Sequence, residues 1–208
     1  MRKVDPAKHE EKRREILEAA ERCFVRDGFR GASISDICGE AGISPGHLYH
    51  YFASKEAIIG AMTDAGLEYA TVRLSRMMEE SNAISALLSE FERGKSMPGN
   101  TKPHQAFIFD MLAEAFRNPA IAEIVREHSR ALRTLLAKFL REGQERGQVD
   151  STFDADLTAA IIMGVIDGAK ALTIRDPELD MVQGIDALKI LIGRFLTPPA
   201  PKPAKTRR

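Results

Sequence analysis

The sequence predicts an all-α protein of about nine helices, with an N-terminal three-helix helix-turn-helix head and a larger helical-bundle body. Apolar residues recur at three- and four-residue spacing through most of the 208 residues, which is typical of amphipathic helices. Breaks such as Ser81-Asn82 and Asn118-Pro119 divide these runs into segments of helix length.

The head begins with a predicted helix over residues 9–28, and Asp27-Gly28 ends its apolar stripe. Ser33 then caps a second helix, whose apolar residues keep helical spacing as far as Gly42. Gly42 takes the position where a left-handed residue commonly ends a helix. A short helix therefore precedes a tight turn.

The helix after this turn is predicted to have a core side and an outward side. Ser44 caps it, and Pro45 lies in its first turn, where the missing N–H costs little. Leu48 and Phe52 anchor it to the core, and its outward side carries His47, Tyr49, His50 and Tyr51. Such a helix fits the major groove of DNA. An ordinary αα-hairpin is the alternative that spacing alone leaves open.

Residues 41–56 carry the most specific motif of the chain, A-G-I-S-P-G-H-L-Y-H-Y-F-A-S-K-E. The motif closely resembles the TetR family of bacterial transcriptional regulators, whose pattern is A-G-V-S-x-G-x-L-Y-x-(H or Y)-F-x-x-K-E. The resemblance is strong over about residues 10–60 and elsewhere extends only to an all-helical body. It implies a ligand-responsive regulator, expected to be a repressor. Such a protein binds a palindromic operator as a homodimer and is released by a small-molecule effector.

The resemblance and the chemistry of the side chains together suggest a set of DNA-binding residues. Gly46 permits close backbone approach, and Lys55 is expected to meet a phosphate. Histidines can donate to base acceptors or phosphates, and tyrosines offer a hydroxyl and a ring edge, although each tyrosine can also pack partly in the core. The full set is Ser33, Ser44, Pro45, Gly46, His47, Tyr49, His50, Tyr51 and Lys55.

Composition limits the class of protein. Apolar residues make up 44% and charged residues 29%, as in a globular protein. Net charge is zero, and residues 1–56 hold ten basic and ten acidic residues, which argues against a nonspecific nucleic-acid coat. No run approaches the roughly 18 apolar residues of a membrane span. The N-terminus also lacks the apolar region of a signal peptide. We expect a cytoplasmic protein with no membrane partner.

Known catalytic and cofactor motifs are missing from the sequence. It contains no phosphate-binding loop, HExxH, Cys-x-x-Cys, nucleophile elbow or dinucleotide fingerprint. We therefore expect no catalytic residue, no cofactor and no metal site. His47 and His50 lie three apart without a neighbouring Cys or carboxylate. The alternative function is a helical small-molecule-binding protein or enzyme whose helix-turn-helix is only structural.

The resemblance implies a body cavity for the effector, whose identity the sequence does not specify. A helix rich in Phe and Met is a candidate for its lining, since methionine suits pockets of irregular shape. The candidate residues are Phe107, Met111, Phe116, Leu135, Phe139 and Met163. Such a stripe can equally be plain core. Asp167 is either a counter-charge for a cationic effector or the partner of Lys170.

Two apolar segments near the C-terminus, over residues 155–174 and 178–196, predict a dimer interface. Together they carry more apolar surface than one small body buries, which favours a four-helix bundle about a two-fold axis. Burial within the monomer is the alternative. The candidate interface residues are Ile161, Gly164, Val165, Gly168, Leu188 and Ile192.

These predictions divide the chain into three parts. Residues 1–56 form the DNA-binding domain, and residues 1–8 of it form a flexible basic arm. Residues 57–196 form the ligand-binding and dimerisation domain. Residues 197–208 form a disordered basic tail rich in proline.

Overall fold

The computed structural model describes residues 5–95 and 102–200, and these ranges contain nine α-helices and no strand. The helices are α1 (Pro6–Gly31), α2 (Ile34–Ala41), α3 (Pro45–Tyr49), α4 (Lys55–Met78), α5 (Ala83–Lys95), α6 (Lys102–Ala115), α7 (Pro119–Glu145), α8 (Ala155–Arg175) and α9 (Met181–Leu196). The predicted all-α fold is therefore confirmed.

Most observed helix ends lie within a few residues of the predicted ones, because capping side chains mark them locally. The Asp154 carboxylate accepts a hydrogen bond from the Leu157 N–H at 2.8 Å and starts α8. The Asp180 carboxylate accepts one from the Val182 N–H at 2.9 Å and starts α9. Such caps satisfy backbone donors that no helical carbonyl reaches.

The first helix differs from the prediction at its N-terminus. It begins at Pro6 because the Asp5 carboxylate accepts a hydrogen bond from the Ala7 N–H at 3.1 Å. Part of the predicted arm over residues 1–8 is therefore helical, and residues 1–4 lie outside the described ranges. The predicted break at Gly28 is present as a kink inside the helix, with φ 72° and ψ 173°.

Two predicted irregular segments lie partly outside the described residues. The segment Gly94-Lys95-Ser96-Met97-Pro98-Gly99-Asn100 is rich in residues typical of loops, which predicts a loop over residues 94–100. Helix α5 continues to Lys95, so it includes the start of this predicted loop. Residues 96–100 of that loop are not described. Of the tail predicted over residues 197–208, the structure describes 197–200, where Thr197 caps the end of α9.

Packing divides the chain into two units, and the first comprises residues 1–69 and 98–131. In its described part, α1 packs against α2 and α6. The fully buried side chains of its core include Ile16, Phe24, Ile37, Leu48 and Ile58. The ring of Phe24 stacks on that of Phe107 from α6, with centroids 5.6 Å apart. The helix-turn-helix thus shares one core with α6.

The second unit comprises residues 70–97 and 132–208, and in its described part α9 packs against α5 and α8. Its core contains Leu140, Ile162, Ile192 and Leu196, each with at most 1% of its surface exposed. The Asp150 N–H donates to the Leu196 carbonyl at 2.8 Å, which fastens the end of α9.

This division by packing does not test the predicted functional boundaries at residues 56 and 196, which stay predictions. In the ranges that the structure describes, no helix is long and apolar enough to cross a membrane.

Candidate nucleic-acid interface

Helices α2 and α3 form the predicted helix-turn-helix. Gly42 adopts the left-handed conformation, with φ 63° and ψ 36°, and ends α2. The Ile43 N–H then donates to the Cys38 carbonyl at 3.0 Å. The Ser44 hydroxyl accepts from the His47 N–H at 3.3 Å and begins α3. These caps join the two helices through a turn of only three residues.

Helix α3 is short, and its two sides differ sharply in burial. Leu48 and Phe52 are buried, with 0% and 4% of their surfaces exposed. Tyr49 is 53% exposed. The other predicted DNA-binding residues that lie exposed around α3 are Ser44, Pro45, Gly46, His47 and His50. The predicted core side and outward side of this helix are therefore present.

Gly46 lies at an open position of the outward side. A Cβ atom built on this residue would meet no other atom within 4 Å. Packing within the head therefore does not require glycine here, and its backbone remains open to close approach from outside.

Tyr51 is half-buried and brings together histidines from two helices. Its ring lies 4.6 Å from the His9 ring, 5.5 Å from the His47 ring and 5.4 Å from the His50 ring, measured between centroids. His9 belongs to α1, and sequence reasoning missed it. The 41 residues between His9 and Tyr51 leave no local signal of this contact.

Lys55 is engaged inside the head. Its Nζ donates to the carbonyl oxygens of Phe29, at 2.5 Å, and Ala32, at 3.0 Å. The ammonium also lies 4.2 Å from the centroid of the Phe29 ring. These contacts argue against the predicted phosphate contact, because the charge is already bound to backbone acceptors.

Ser33 is engaged in a capping box at the start of α2. Its hydroxyl donates to the Asp36 carboxylate at 2.5 Å, and its N–H donates to the same oxygen at 2.8 Å. These hydrogen bonds hold the pKa of the Asp36 carboxyl below its usual value. A carboxylate at this helix start repels a phosphate, so Ser33 is a capping residue here.

Other charges of the head are paired along its surface. Arg22 and Arg26 bind the Glu40 carboxylate, at 2.7 Å and 3.7 Å. The guanidinium of Arg13 pairs with Glu10 at 3.4 Å and lies 5.4 Å from the centroid of the Phe52 ring. The charges of these three arginines are therefore balanced by neighbouring carboxylates.

Two carboxylates of α6, which sequence reasoning missed, bind the end of α1. The Asp110 carboxylate accepts from the Phe29 N–H at 2.8 Å. The Glu114 carboxylate, only 5% exposed, binds Arg30 at 2.8 Å and Arg117 at 3.0 Å. The hydrogen bond from Arg30 is the main reason why the pKa of Glu114 lies below its usual value.

The predicted effector residues occupy different environments. Phe107 and Met111 are buried in the core of the first unit, and Phe139 is buried in that of the second. Leu135 and Met163 are half-buried residues of the second unit.

The other two predicted effector residues face solvent or a neighbour on the same helix. Phe116 is 94% exposed. The Asp167 carboxylate pairs with the Lys170 ammonium at 3.1 Å, which is the alternative to its role as a counter-charge for an effector.

A polar cavity of 260 Å³ opens between the end of α4 and α5. It is lined by Arg76, Met77, Glu80, Ser81, Asn82, Ser85, Ala86, Ser89 and Arg93. None of the predicted effector residues belongs to this lining.

The predicted interface residues separate into an exposed and a buried group. Ile161, Gly164 and Gly168 are exposed along α8, and Val165 and Leu188 are half-buried. Ile192 is 1% exposed and packs in the core of the second unit. Its assignment to an interface is corrected, because a side chain buried in its own unit has no surface left for a second copy.

Among the residues that the structure describes, no cluster of three or more His, Cys, Asp or Glu side chains could hold a metal ion. Cys23 and Cys38 are buried in the head, and burial raises the pKa of both thiols.

Comparison with known proteins agrees with this geometry. The family model described as "Bacterial regulatory proteins, tetR family" matches residues 16–62, which include the whole helix-turn-helix. The model described as "BetI-type transcriptional repressor, C-terminal" matches residues 96–197. The two matches together cover the head and most of the body.

Individual relatives are similar over most of their length. The HTH-type transcriptional regulator UidR of Escherichia coli K12 is 29% identical over 188 residues, which is 89% of this chain and 93% of that protein. Salmonella enterica GusR has a similar structure, with a TM-score of 0.74 at 24% identity over 89% of this chain and 95% of that one.

A regulator from Saccharomonospora viridis in complex with choline also has a TM-score of 0.74 at 24% identity, over 90% of this chain and 98% of that one. With its helix-turn-helix, its helical body and both family matches, the chain belongs to the TetR family of bacterial transcriptional regulators.

Proposed function

We propose that this regulator represses transcription by binding a palindromic DNA operator as a homodimer, with α3 of each copy in the major groove. The division of α3 into a buried and an exposed side carries the proposal. Leu48 packs α3 into the core and Phe52 packs the turn after it, so His47, Tyr49 and His50 remain available to base edges. A helix that only joined two core elements would not need three exposed hydrogen-bonding side chains.

The exposed residues divide by the contacts they can make. His47, Tyr49 and His50 carry hydrogen-bonding groups that can read bases or contact phosphates. Gly46 and Pro45 let the backbone at the start of α3 approach the DNA, and the exposed Ser44 adds a hydroxyl. Lys55 and Ser33 act within this proposal by holding the head together.

The homodimer is supported by an exposed apolar surface on α8 and α9. On α8, Leu157, Ile161 and Leu172 are 62%, 46% and 40% exposed. They share one helix stripe with Gly164 and Gly168, which permit close helix approach. On α9, Val182, Ile190 and Leu191 are 61%, 56% and 55% exposed. A second copy of the chain covers such a surface in a four-helix bundle.

A small organic effector bound in the body releases the operator in this proposal. The choline complex of the Saccharomonospora viridis neighbour supports this class of ligand. Leu135 and Met163 are the candidate contacts, because half-buried apolar side chains of the second unit can still meet a solute. Binding shifts the population toward a conformer whose head spacing mismatches the operator.

Selection from a random DNA library tests operator binding. Purified protein is mixed with the library at moderate salt, and bound fragments are sequenced. We expect an enriched inverted repeat, whose half-sites lie about one helical turn or a multiple of it apart. No enrichment by a folded, dimeric protein would contradict the proposal.

Variants of two histidines test the position of α3. We expect His47→Ala to relax base discrimination within the repeat, by about 1–3 kcal/mol at a contacted base. His104→Ala is the matched control, because His104 lies on α6 and contacts Glu21. Equal discrimination by the parent and both variants would remove His47 from the interface.

The effector is sought by thermal shift with a library of small organic molecules that includes choline. A true effector stabilises the protein in a concentration-dependent way and weakens operator binding. Leu135→Ala/Met163→Ala should lose the shift, whereas Phe116→Ala should retain it. Ligands that stabilise the protein without changing operator affinity would contradict the proposed regulation.

A further inference from the structure

We infer that operator binding by this head is coupled to proton uptake by His9, His47 and His50, the three histidines around Tyr51. The inference rests on the proposed function, because it concerns the affinity of the head for DNA. It adds to that function a chemical condition, the proton concentration, and a residue of α1 that takes part in recognition.

The geometry groups three of the five histidines of the chain at one place. His47 and His50 are exposed on α3 and flank Tyr51 at centroid distances of 5.5 Å and 5.4 Å. His9 comes from α1, lies 4.6 Å from the Tyr51 ring at an interplanar angle of 31°, and is 6.1 Å from His50. Tyr51 thus connects α1 to the recognition helix.

Within the recognition segment itself, histidines are the only side chains that can carry a positive charge. Residues 44–54 contain no lysine or arginine. The nearest cation along the chain, Lys55, donates to two backbone carbonyls inside the head. Imidazole is the side chain whose charge ordinarily changes between about pH 5 and 8.

Several charged groups of α1, α2 and α4 have partners of their own. On α1, Asp5 caps the helix, Lys12 pairs with Glu15 at 2.6 Å, and Arg13 pairs with Glu10 at 3.4 Å. On α2, Asp36 binds Ser33 at 2.5 Å and Glu40 binds Arg22 at 2.7 Å. On α4, Glu56 binds Asn118 at 3.3 Å, and Lys55 is bound as described. The acids named here are therefore engaged in contacts of their own, whereas Lys8 and Glu11 are exposed on α1 beside His9.

Bound DNA shifts the protonation equilibrium of a nearby imidazole toward the charged form. Its phosphates only accept hydrogen bonds, and a neutral imidazole has one donor whereas the protonated ring has two donors and a positive charge. The complex therefore holds more protons than the separated molecules. By linkage, operator affinity falls as pH rises.

The first experiment measures operator affinity against pH. The probe is the inverted-repeat duplex recovered by the selection, and fluorescence anisotropy is recorded at constant ionic strength. We expect the dissociation constant to rise about three- to tenfold between about pH 6 and about pH 8. Titration calorimetry in two buffers of different ionisation enthalpy should give binding heats that differ, because protons are taken up.

Glutamine variants assign the effect, because glutamine keeps a hydrogen-bonding group without titrating. His9→Gln, which leaves His47 and His50 in place, should lose part of the pH dependence. The triple variant at residues 9, 47 and 50 should lose most of it. His104→Gln is the matched control and should keep the parental pH profile.

The outcomes separate this inference from the proposed function. Specific binding that is independent of pH, or equal heats in both buffers, overturns the inference and leaves the proposed function intact. An unchanged pH profile in His9→Gln overturns the role of His9. The absence of specific binding at every pH overturns both.

Discussion

Lys55 and Asp110 hold the two sides of a single residue, Phe29. The Lys55 ammonium donates to the Phe29 carbonyl at 2.5 Å, and the Asp110 carboxylate accepts from the Phe29 N–H at 2.8 Å. Phe29 follows the kink in α1, where a helix end leaves backbone groups without helical partners. The start of α4 and the middle of α6 are therefore both fastened to the end of α1.

This arrangement makes Lys55 a stabilising residue of the head. We expect Lys55→Met to lower the free energy of unfolding by about 1–3 kcal/mol, because the carbonyls of Phe29 and Ala32 lose a charged donor. Chemical denaturation measures the change. Lys8→Met is the control, since Lys8 is exposed on α1 and its loss should cost less than about 0.5 kcal/mol.

The salt dependence of operator binding separates the two roles of Lys55. A lysine that neutralises a phosphate contributes about one unit to the slope of log affinity against log salt. We expect the slope of folded Lys55→Met to equal that of the parent. A slope reduced by about one unit, with unchanged unfolding, would restore the phosphate contact that the motif suggests.

Gly28 is required by its backbone conformation. Its φ of 72° and ψ of 173° lie in a region that is essentially restricted to glycine. A Cβ atom would also lie 3.1 Å from the Asp110 carboxylate oxygen. We expect Gly28→Ala to destabilise the protein by about 1–3 kcal/mol in denaturant titration.

A second glycine provides the matched comparison. Gly39 lies within α2, and a Cβ atom there would meet nothing within 4 Å. Gly39→Ala should stabilise the protein by up to about 1 kcal/mol, because alanine favours the helix more than glycine does. Equal effects at both positions would refute the special role of Gly28.

Glu114 should make the stability of the protein sensitive to acid. Its carboxylate binds Arg30 and Arg117, which lowers its pKa below the ordinary value of 4.5 in the folded chain. Because the pKa of Glu114 is lower in the folded chain, its ionised carboxylate stabilises the fold at pH values above the ordinary pKa. This stabilisation is lost as the pH falls through the lowered pKa. Glu114→Gln should therefore be less stable than the parent at neutral pH, and the difference should shrink in acid.

Urea titrations from neutral to acidic pH measure this difference. Glu123→Gln is the control, because Glu123 forms an exposed pair with Arg126 whose loss should change stability little. A difference between Glu114→Gln and the parent that stays constant with pH would exclude the carboxylate as its cause.

The sequence predicted those parts of the fold that depend on local chemistry. Ser44, Pro45 and Gly42 mark the ends of α2 and α3, and Leu48 with Phe52 identifies the buried side of α3. Capping and helical periodicity act over at most one or two turns, so adjacent residues reveal them.

The functional assignments that need revision depend on contacts between distant residues. Lys55 meets Phe29 across 26 residues, and Arg30 meets Glu114 across 84. Spacing carries no trace of such pairs, so the motif could suggest that Lys55 was exposed to DNA but could not show what its ammonium binds. Ile192 was assigned to the wrong side of α9 for a related reason, since a helix apolar on several sides does not reveal which side is buried.

Two positions of α9 that lie two residues apart test the homodimer. Ile190 is 56% exposed, whereas Ile192 is 1% exposed in the core of the second unit. In the proposed four-helix bundle, Ile190→Glu places a charge in the interface without disturbing the monomer core. We expect it to shift the protein toward monomers in analytical ultracentrifugation and to weaken operator binding, because two linked heads bind a palindrome far more tightly than one.

Ile192→Ala should show the opposite pattern, with a loss of about 2–5 kcal/mol in unfolding free energy from the cavity it leaves, while the folded fraction stays dimeric. Circular dichroism checks that Ile190→Glu retains its helices.

If Ile190→Glu remained dimeric and Ile192→Ala became monomeric, the side of α9 that faces the second copy would have to be reassigned. If both variants and the parent were monomeric at concentrations where the operator is bound, the two-fold interface would be excluded, and the exposed apolar surface of α8 and α9 would require another partner.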